Sequence, residues 1–327
     1  MEEKINIAIV GTGYWGTKLI REYYLLSREG GPINIYGVCD ISREQIENAI
    51  KTAGVDRGYL RLISTKFSDI LSDENINAVH IATPNETHYE LALRAIQAGK
   101  HVLLEKPMTT SSREAFKLVR EAEKRGVTLM VDHIFRFNNA LKTIRDKITN
   151  GEIGKVYYLK LNWSAHLKKL PNSDIIFDLA PHPIDIINYL LEEWPLRVQG
   201  IGRSYVRENS EEVAFLTLEY PENVIAQVEL SWLYRGIKTR SVEIVGEKGV
   251  ITVDALRQKI TLYKGEDIIH IQVEPNNTIR DMVLHFAHHI LKNEPPLNSA
   301  HIGAMTVLVL ENILKSVRNS KKVEIMR

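Results

Sequence analysis

Gly11-Thr12-Gly13-Tyr14-Trp15-Gly16 fits the G-x-G-x-x-G spacing, and its position in the chain gives that spacing a chemical meaning. It follows the apolar run INIAIV (5–10) and opens a helical stretch from Tyr14 to about Ser27. The first glycine permits a tight turn, the second lets a pyrophosphate approach the backbone, and the third lets the helix pack against the strand. The helix N-terminus then offers free N–H groups and a positive dipole end to phosphates. Asp40 closes the next apolar run, INIYGVC (33–39). A carboxylate there accepts hydrogen bonds from ribose hydroxyls and repels a 2′-phosphate, which favours NAD. Ser42 and Arg43 beside it are a pair that would hold a 2′-phosphate, so NADP stays open. A helix cap is the competing role for Asp40.

A second group of candidates lies in HVLLEKPM (101–108), where a buried-strand run ends in Glu105, Lys106 and a proline. An exposed turn is the plain reading of such a segment. In a doubly wound sheet, however, ligands gather outside the carboxyl ends of the strands. Asp40 stands at one such end, Thr83, Pro84, Asn85 and His88 of ATPNETH at another, and Glu105-Lys106 at the next. All are expected along one edge, with Lys106 near the place of a nicotinamide. In FDLAPHPIDIINYLL, Pro181 and Pro183 fit a first helical turn, which puts His182 at a helix start. The positive dipole end is expected to keep its ring neutral, as a general base requires. Asp178, four residues earlier, is placed to fix the tautomer and stabilise the imidazolium. A structural hydrogen-bonding role is the alternative for this histidine.

The elements that must position these residues fall into two rhythms. From residue 4 to about 131, strand-like runs alternate with amphipathic helical segments, including ETHYELALRAIQAG and SSREAFKLVREAEKRG. That alternation predicts a parallel, doubly wound sheet. After 150 come KVYYLKLNWS, EVAFLTLEY, VIAQVELSW, RSVEIVG, GVITVD and KITLYKG, joined by short turns. These predict a mostly antiparallel open sheet, with helices at about 182–192, 279–292 and 301–317. The expected organisation is an α/β protein: a dinucleotide-binding Rossmann domain over 1–125 and an α+β domain for substrate binding and oligomerisation over 126–327.

Composition limits the partners. The 327 residues carry 42 Lys+Arg against 41 Asp+Glu, a net charge of +1, which gives no reason to expect nucleic acid. Cys39 is the only cysteine, which excludes an intrachain disulfide and suits a reducing compartment. The N-terminus lacks a signal-peptide pattern, and no run of about 18 apolar residues occurs. A soluble, cytoplasmic protein without membrane attachment is expected.

At this point the chain resembles the family of sugar dehydrogenases that includes glucose–fructose oxidoreductase, inositol dehydrogenase and the rhizopine-catabolism enzymes. The resemblance spans nearly the whole sequence: GTGYWG, ATPNETH, EKP, RFNNALKTIRDKITNGEIGKV, FDLAPHPIDI, VEIVGEKGVITVD and SAHIGAMTVLVLENILKSVRNSKKVEI. EKP followed by the Asp-x-x-x-His segment is its most specific part. The resemblance implies that Lys106 lies beside the reacting alcohol and the nicotinamide, and that Asp178 and His182 are the catalytic acid–base pair. It further implies NAD or NADP as cofactor, and pairing of subunits through the open sheet face, where Gln227, Glu229 and Ser231 alternate with apolar neighbours. Asp185 matches a recurring acid, for which a structural helix role is the better expectation. Ala180 replaces the glycine of the commoner D-x-G-x-H form, which leans toward the nucleotide-sugar branch.

Candidate substrate contacts, besides Lys106, Asp178 and His182, are His133, Arg136, Trp163, His166, Trp232 and Tyr234. Aromatic faces suit sugar rings or a base, and basic groups, Arg235, Lys168 and Lys169 among them, suit a diphosphate or carboxylate. For Lys168 and Lys169 a solvated loop explains the charges equally well. His285, His288 and His289 share one helix without an obvious acidic partner, so no metal is expected. The expected activity is hydride transfer between the nicotinamide and a secondary alcohol of a sugar, nucleotide sugar or cyclitol. The alternatives are a silent cofactor-binding regulator of the same fold and a reductase of a non-sugar ring. Retention of Lys106, Asp178 and His182 together favours an enzyme.

Overall fold

A computed structural model describes residues 4–167, 174–208 and 210–326 of the chain. Lys168 and Lys169 lie outside the described residues. Two compact units emerge: residues up to 134 together with 277–305, and residues 135–276 together with those from 306 onward. A single cut at 125 therefore does not describe the chain.

In the first unit, β1 (Ile5–Val10), β2 (Ile33–Cys39), β3 (Leu62–Ser64), β4 (Ala78–Ile81), β5 (His101–Leu104) and β6 (Leu129–Val131) form one parallel sheet. Their order is β3-β2-β1-β4-β5-β6, so the chain reverses direction across the sheet between β1 and β4. Every residue of β4 is buried, as are the last four of β1 and the last three of β5. Burial on both faces is why these strands appear in the sequence as unbroken apolar runs. The connecting helices are α1 (Tyr14–Arg28), α2 (Arg43–Ala53), α3 (Phe67–Ser72), α4 (His88–Gln97) and α5 (Ser112–Arg125). Ser42 Oγ caps α2 by accepting from Gln45 N, and Gly54 and Gly126 close α2 and α5 in the left-handed conformation. The return segment joins this unit through Asn298, whose amide donates to Val131 O at 2.6 Å while Val131 N donates to Asn298 O at 3.1 Å. β6 thus completes the first sheet, which is why the boundary falls after it.

The second unit begins with α6 (Asn139–Thr149) and β7 (Val156–Ser164), then α7 (Ile175–Leu179) and α8 (Pro181–Leu191). β8 (Arg197–Arg203), β9 (Val213–Glu219), β10 (Ile225–Ser231), β11 (Thr239–Gly246), β12 (Gly249–Asp254), β13 (Lys259–Lys264) and β14 (Asp267–Ile271) follow. After α9 (Thr278–Lys292), which belongs to the first unit, come α10 (Ala300–Asn319) and β15 (Val323–Glu324). The sheet runs β14-β13-β12-β11-β7-β10-β9-β8-β15, and β7 with β10 is its parallel pair. Leu159, Leu161 and Trp163 of β7 and Ala226, Val228 and Leu230 of β10 face the buried side. The other face mixes an ion pair, Lys160 to Glu243 at 3.0 Å, with exposed Ile201, Phe215 and Ile225. β3, β8 and β14 carry no clear strand signal in the sequence.

α10 is long and apolar enough to cross a membrane by length and composition, yet just over half of that stretch is buried within the protein. Its apolar side has local work to do. Gly303 packs where a side chain would meet Val131, and Ser316 Oγ accepts from Gly200 N at 3.0 Å.

Candidate active site

The glycine turn has the geometry its spacing predicts. Gly11 has φ +96°, and a side chain on it would meet Ala82 O at 2.3 Å, so both conformation and space demand glycine. A side chain on Gly16 would meet Gly11 O at 2.0 Å, which is the close packing of helix on turn. Gly13 differs: its surroundings are open, with nothing within 4 Å of a Cβ. α1 starts there without a side-chain cap and without acidic residues in its first turn. The start of α1 beside Gly13 is therefore open, and these residues fit a pyrophosphate.

Asp40 steadies this turn. Its Oδ2 accepts from Thr12 N at 2.7 Å and from Thr12 Oγ1 at 3.0 Å, and its Oδ1 from Ser42 N at 3.0 Å. Arg43 is turned to Glu47 at 3.0 Å and to Ile63 O at 3.4 Å. A guanidinium already paired is less available to a 2′-phosphate, which strengthens the case for NAD. Cys39, buried at the end of β2, has its thiol pushed up to about 12, chiefly by burial and then by Asp40, so it stays protonated.

At the next two strand ends, His88 braces one loop against the other. Its Nδ1 lies 2.8 Å from Pro107 O and its Nε2 2.9 Å from Thr83 O. Burial pulls its pKa down, so the ring is neutral and donates to one carbonyl at a time. His88 is thus a buried brace rather than a group open to a cofactor. Thr83 Oγ1 bonds Thr87 Oγ1 at 2.7 Å, while Pro84 is exposed and Asn85 half-buried. Lys106 is half-buried, and the Lys106–Pro107 peptide is cis. Glu105 turns inward: it is buried, and its Oε2 accepts from Lys106 N at 3.3 Å. Its carboxylate shares a dry pocket with His80 of β4 and with Asp132, just after β6. The sequence analysis missed these two. A histidine inside the apolar run AVHI and an acid closing LMV were the available signals.

In the second unit the structure corrects several expectations. α7 runs directly into α8, since Ala180 ends one and begins the other with helical angles of −67° and −24°. Pro181 and Pro183 stand in the first turn of α8, so His182 lies at the helix start that the sequence predicts. Asp178 lies in the last turn of α7 and His182 in the first turn of α8, four residues on. Asp178 accepts from Trp232 Nε1 at 3.1 Å, and the His182 ring stands edge-on to Phe135 at 5.1 Å. Trp163 and Trp232 are fully buried, so they serve as core walls and not as sugar-stacking faces. Phe135 meets Trp163 at 5.3 Å, and the Arg240 guanidinium lies 5.6 Å from the Trp163 ring. Burial lowers Arg240 to about 10, against the opposing pull of Asp178.

Arg136 is likewise structural. It is buried, bonds Asp185 at 2.7 Å and Asn188 at 2.6 Å, and so ties the 3-10 turn over 134–137 to α8. Asp185 has the structural helix role expected of it. His133 is buried in the first unit, whereas His166 and Tyr234 are exposed beside each other's strands through the His166–Leu233 bridge. The histidines of α9 go to local partners: Leu297 N donates to His285 Nε2, and His289 Nδ1 bonds Glu294 O.

A parallel sheet with an open glycine turn and a lysine at a strand end defines a dinucleotide-dependent redox class. The comparisons with known proteins agree. The model of the oxidoreductase family with the NAD-binding Rossmann fold matches residues 5–133, and the GFO/IDH/MocA C-terminal domain matches residues 141–252. The chain belongs to the GFO/IDH/MocA family of NAD-binding oxidoreductases. UDP-N-acetylglucosamine 3-dehydrogenase of Acidithiobacillus ferrooxidans is 30% identical over 263 residues, 79% of this chain and 77% of that protein. 2,7-anhydro-N-acetylneuraminate hydratase of Escherichia coli K12 is 28% identical over 287 residues, 82% of this chain and 73% of that protein. Levoglucosan dehydrogenase, solved with NADH and levoglucosan, aligns with a TM-score of 0.87 over 99% of this chain and 100% of that one. At 19% identity that likeness speaks for the fold alone.

Proposed function

We propose that this enzyme oxidises, or in the reverse direction forms, a secondary alcohol on a sugar, nucleotide sugar or cyclitol. The observation that carries the reading is that Asp178, held by the Trp232 N–H, lies four residues before His182 at the start of α8. An imidazole with a fixed carboxylate near it in the chain would serve as a general base. The Nδ1 side of His182 is buried, so the hydroxyl proton would be received at Nε2. Lys106, at the end of β5, would stabilise the negative charge that develops on the alcohol oxygen. The nicotinamide, when bound, supplies the hydride acceptor or donor. Gly11, Thr12, Gly13 and the first turn of α1 would hold the pyrophosphate, and Asp40 the adenosine ribose. NAD is the preferred cofactor because Asp40 is present and Arg43 is engaged elsewhere.

The substrate class rests on the family and on the carbohydrates named for its relatives. His166 and Tyr234 are exposed on the second unit and remain candidate contacts. The enzyme would act in the cytoplasm, which the lone, protonated Cys39 suits, as a homodimer or homotetramer paired through the outer face of the nine-stranded sheet. The test is a thermal-shift screen of nucleotide sugars, polyols and sugar acids with saturating NAD. A ligand bound only by the native state raises the melting temperature, by about 2.7 kcal/mol of stabilisation at a hundredfold excess over Kd. A raised transition with any of these classes names the substrate. No shift with any carbohydrate, alongside a clear shift with NAD, would overturn the substrate class.

A further inference from the structure

We propose that Glu105 and Asp132 hold one proton between them, so that this buried pair presents a single negative charge to the Lys106 ammonium. The pair sits at the ends of two adjacent parallel strands, β5 and β6. One oxygen of each carboxyl and one ring nitrogen of His80 lie within 4.8 Å of one another. Glu105 Oε1 and Asp132 Oδ2 are buried and have no partner at hydrogen-bonding geometry. Two ionised carboxylates offer acceptors only, and buried acceptors without donors are rare in proteins. One carboxylic proton between the two acids supplies the missing donor.

The groups around the pair leave no other way to balance its charge. His80 Nε2 is 3.7 Å from Asp132 Oδ2, and its Nδ1 is 3.0 Å from Tyr23 Oη. Burial, helped by His88, holds His80 down at about 3, so the ring is neutral and brings no positive charge. His88 is neutral for the same reason. Burial, reinforced by Asp132 and Glu105, holds the Tyr23 hydroxyl in its protonated form. The indole N–H of Trp15 bears on Asp132 without carrying charge. Lys106 is the cation that acts on both acids. Burial raises both carboxyls, and for Glu105 the neighbouring Asp132 raises it further. Like charges this close in a dry site do not both ionise. One proton leaves one negative charge against one ammonium, and the pocket is neutral.

Glu105 and Asp132 are on this account positioning residues that face Lys106 with one negative charge, a role that rests on the reading of Lys106 given above. The shared proton itself does not depend on that reading and is tested first. Wild-type protein at about pH 9, above the value of about 7 to which burial and Glu211 raise Asp174, should show an infrared carboxylic-acid band. The band should vanish in Glu105→Gln and equally in Asp132→Asn, because the acid left behind ionises. Absence of a band sensitive to either substitution overturns the proposal. A stoichiometric divalent ion in the purified protein, read by elemental analysis, overturns it as well.

The role is tested by the alkaline limb of kcat/KM. Each single amide variant keeps one negative charge, so its limb should stay in place whatever happens to the rate. The double variant loses the negative charge that faces the ammonium, so its limb should differ from that of both single variants. Equal downward steps in the two single variants would mean that both acids are ionised, against the proposal. A limb that stays in place in the double variant overturns the role while the infrared result still decides the shared proton. If Lys106→Ala keeps full turnover, the reading of Lys106 fails instead. Melting curves of each variant establish that it is folded, and the wild-type band needs no variant to be seen.

Discussion

Lys106 and His182 stand 76 positions apart in the chain and arise from different elements, yet the proposed chemistry asks both to act on one oxygen. Lys106→Ala and His182→Ala should each lower kcat by roughly 10²-fold or more, the range for a lost charge-stabilising or acid–base group. NAD affinity, read by titration, should change little, since neither residue belongs to the glycine turn. The double variant should lose less than the product of the single losses, because groups that act as a unit are not additive. Wild-type turnover in a folded His182→Ala protein would show that the base lies elsewhere. At this scale the sequence was informative where a residue's role follows from local spacing. Gly11 and Gly16 are such residues. It was uninformative where a role depends on which strands are neighbours. His80, Glu105 and Asp132 meet across three strands, and nothing near them in the sequence announces the meeting. Trp163, Trp232 and Arg136 were misjudged for a related reason. An aromatic or cationic side chain suits a ligand and a core ion pair equally, and only burial separates the two.

Elements explain what each glycine of the turn does, and the three are not interchangeable. Gly11→Ala places a side chain at φ +96° and against Ala82 O, so it should cost about 1–3 kcal/mol of stability. Gly13 has φ −66°, which any residue adopts, and a methyl group there meets nothing. Gly13→Ala should therefore melt like the wild type and yet bind NAD at least about tenfold more weakly, a loss of about 1.4 kcal/mol, because the methyl occupies the approach to the helix N-terminus. Melting curves beside NADH titrations separate the two effects. A Gly13→Ala protein with unchanged affinity would move the pyrophosphate away from this turn. The same reasoning shows why some strands escaped the sequence analysis. β1, β4 and β5 are largely buried and mostly apolar. β8 carries Gly200 and Gly202, residues poor in strands, because Val317 of α10 packs where their side chains would stand. β3 has three residues, and β14 is an exposed edge strand, so neither had a pattern to show.

The whole molecule is a sheet buried on both faces and a second sheet buried on one. The outer face of that second sheet is where pairing of copies is proposed. Gln227 and Glu229 alternate with buried Val228 and Leu230 as the sequence suggested, and Asn162 donates to Glu229 at 2.9 Å across the strands. Ile201 and Phe215, however, are each 55% exposed and opposite each other on neighbouring strands, and Ile225 is 43% exposed farther along the same face. A face that was meant only for water would carry polar groups at these positions, since contiguous exposed apolar side chains mark contact surfaces. Pairing of two copies would cover them and keep the polar ladder satisfied across a symmetric interface. Light scattering at micromolar concentration should therefore give a mass of two or four chains. Phe215→Glu puts a charge opposite Ile201 on that face and should shift the mass toward one chain while the melting transition and NAD binding persist. A wild-type monomer at that concentration would end the assembly proposal. An unchanged oligomer in the Phe215→Glu variant would place the interface on another surface.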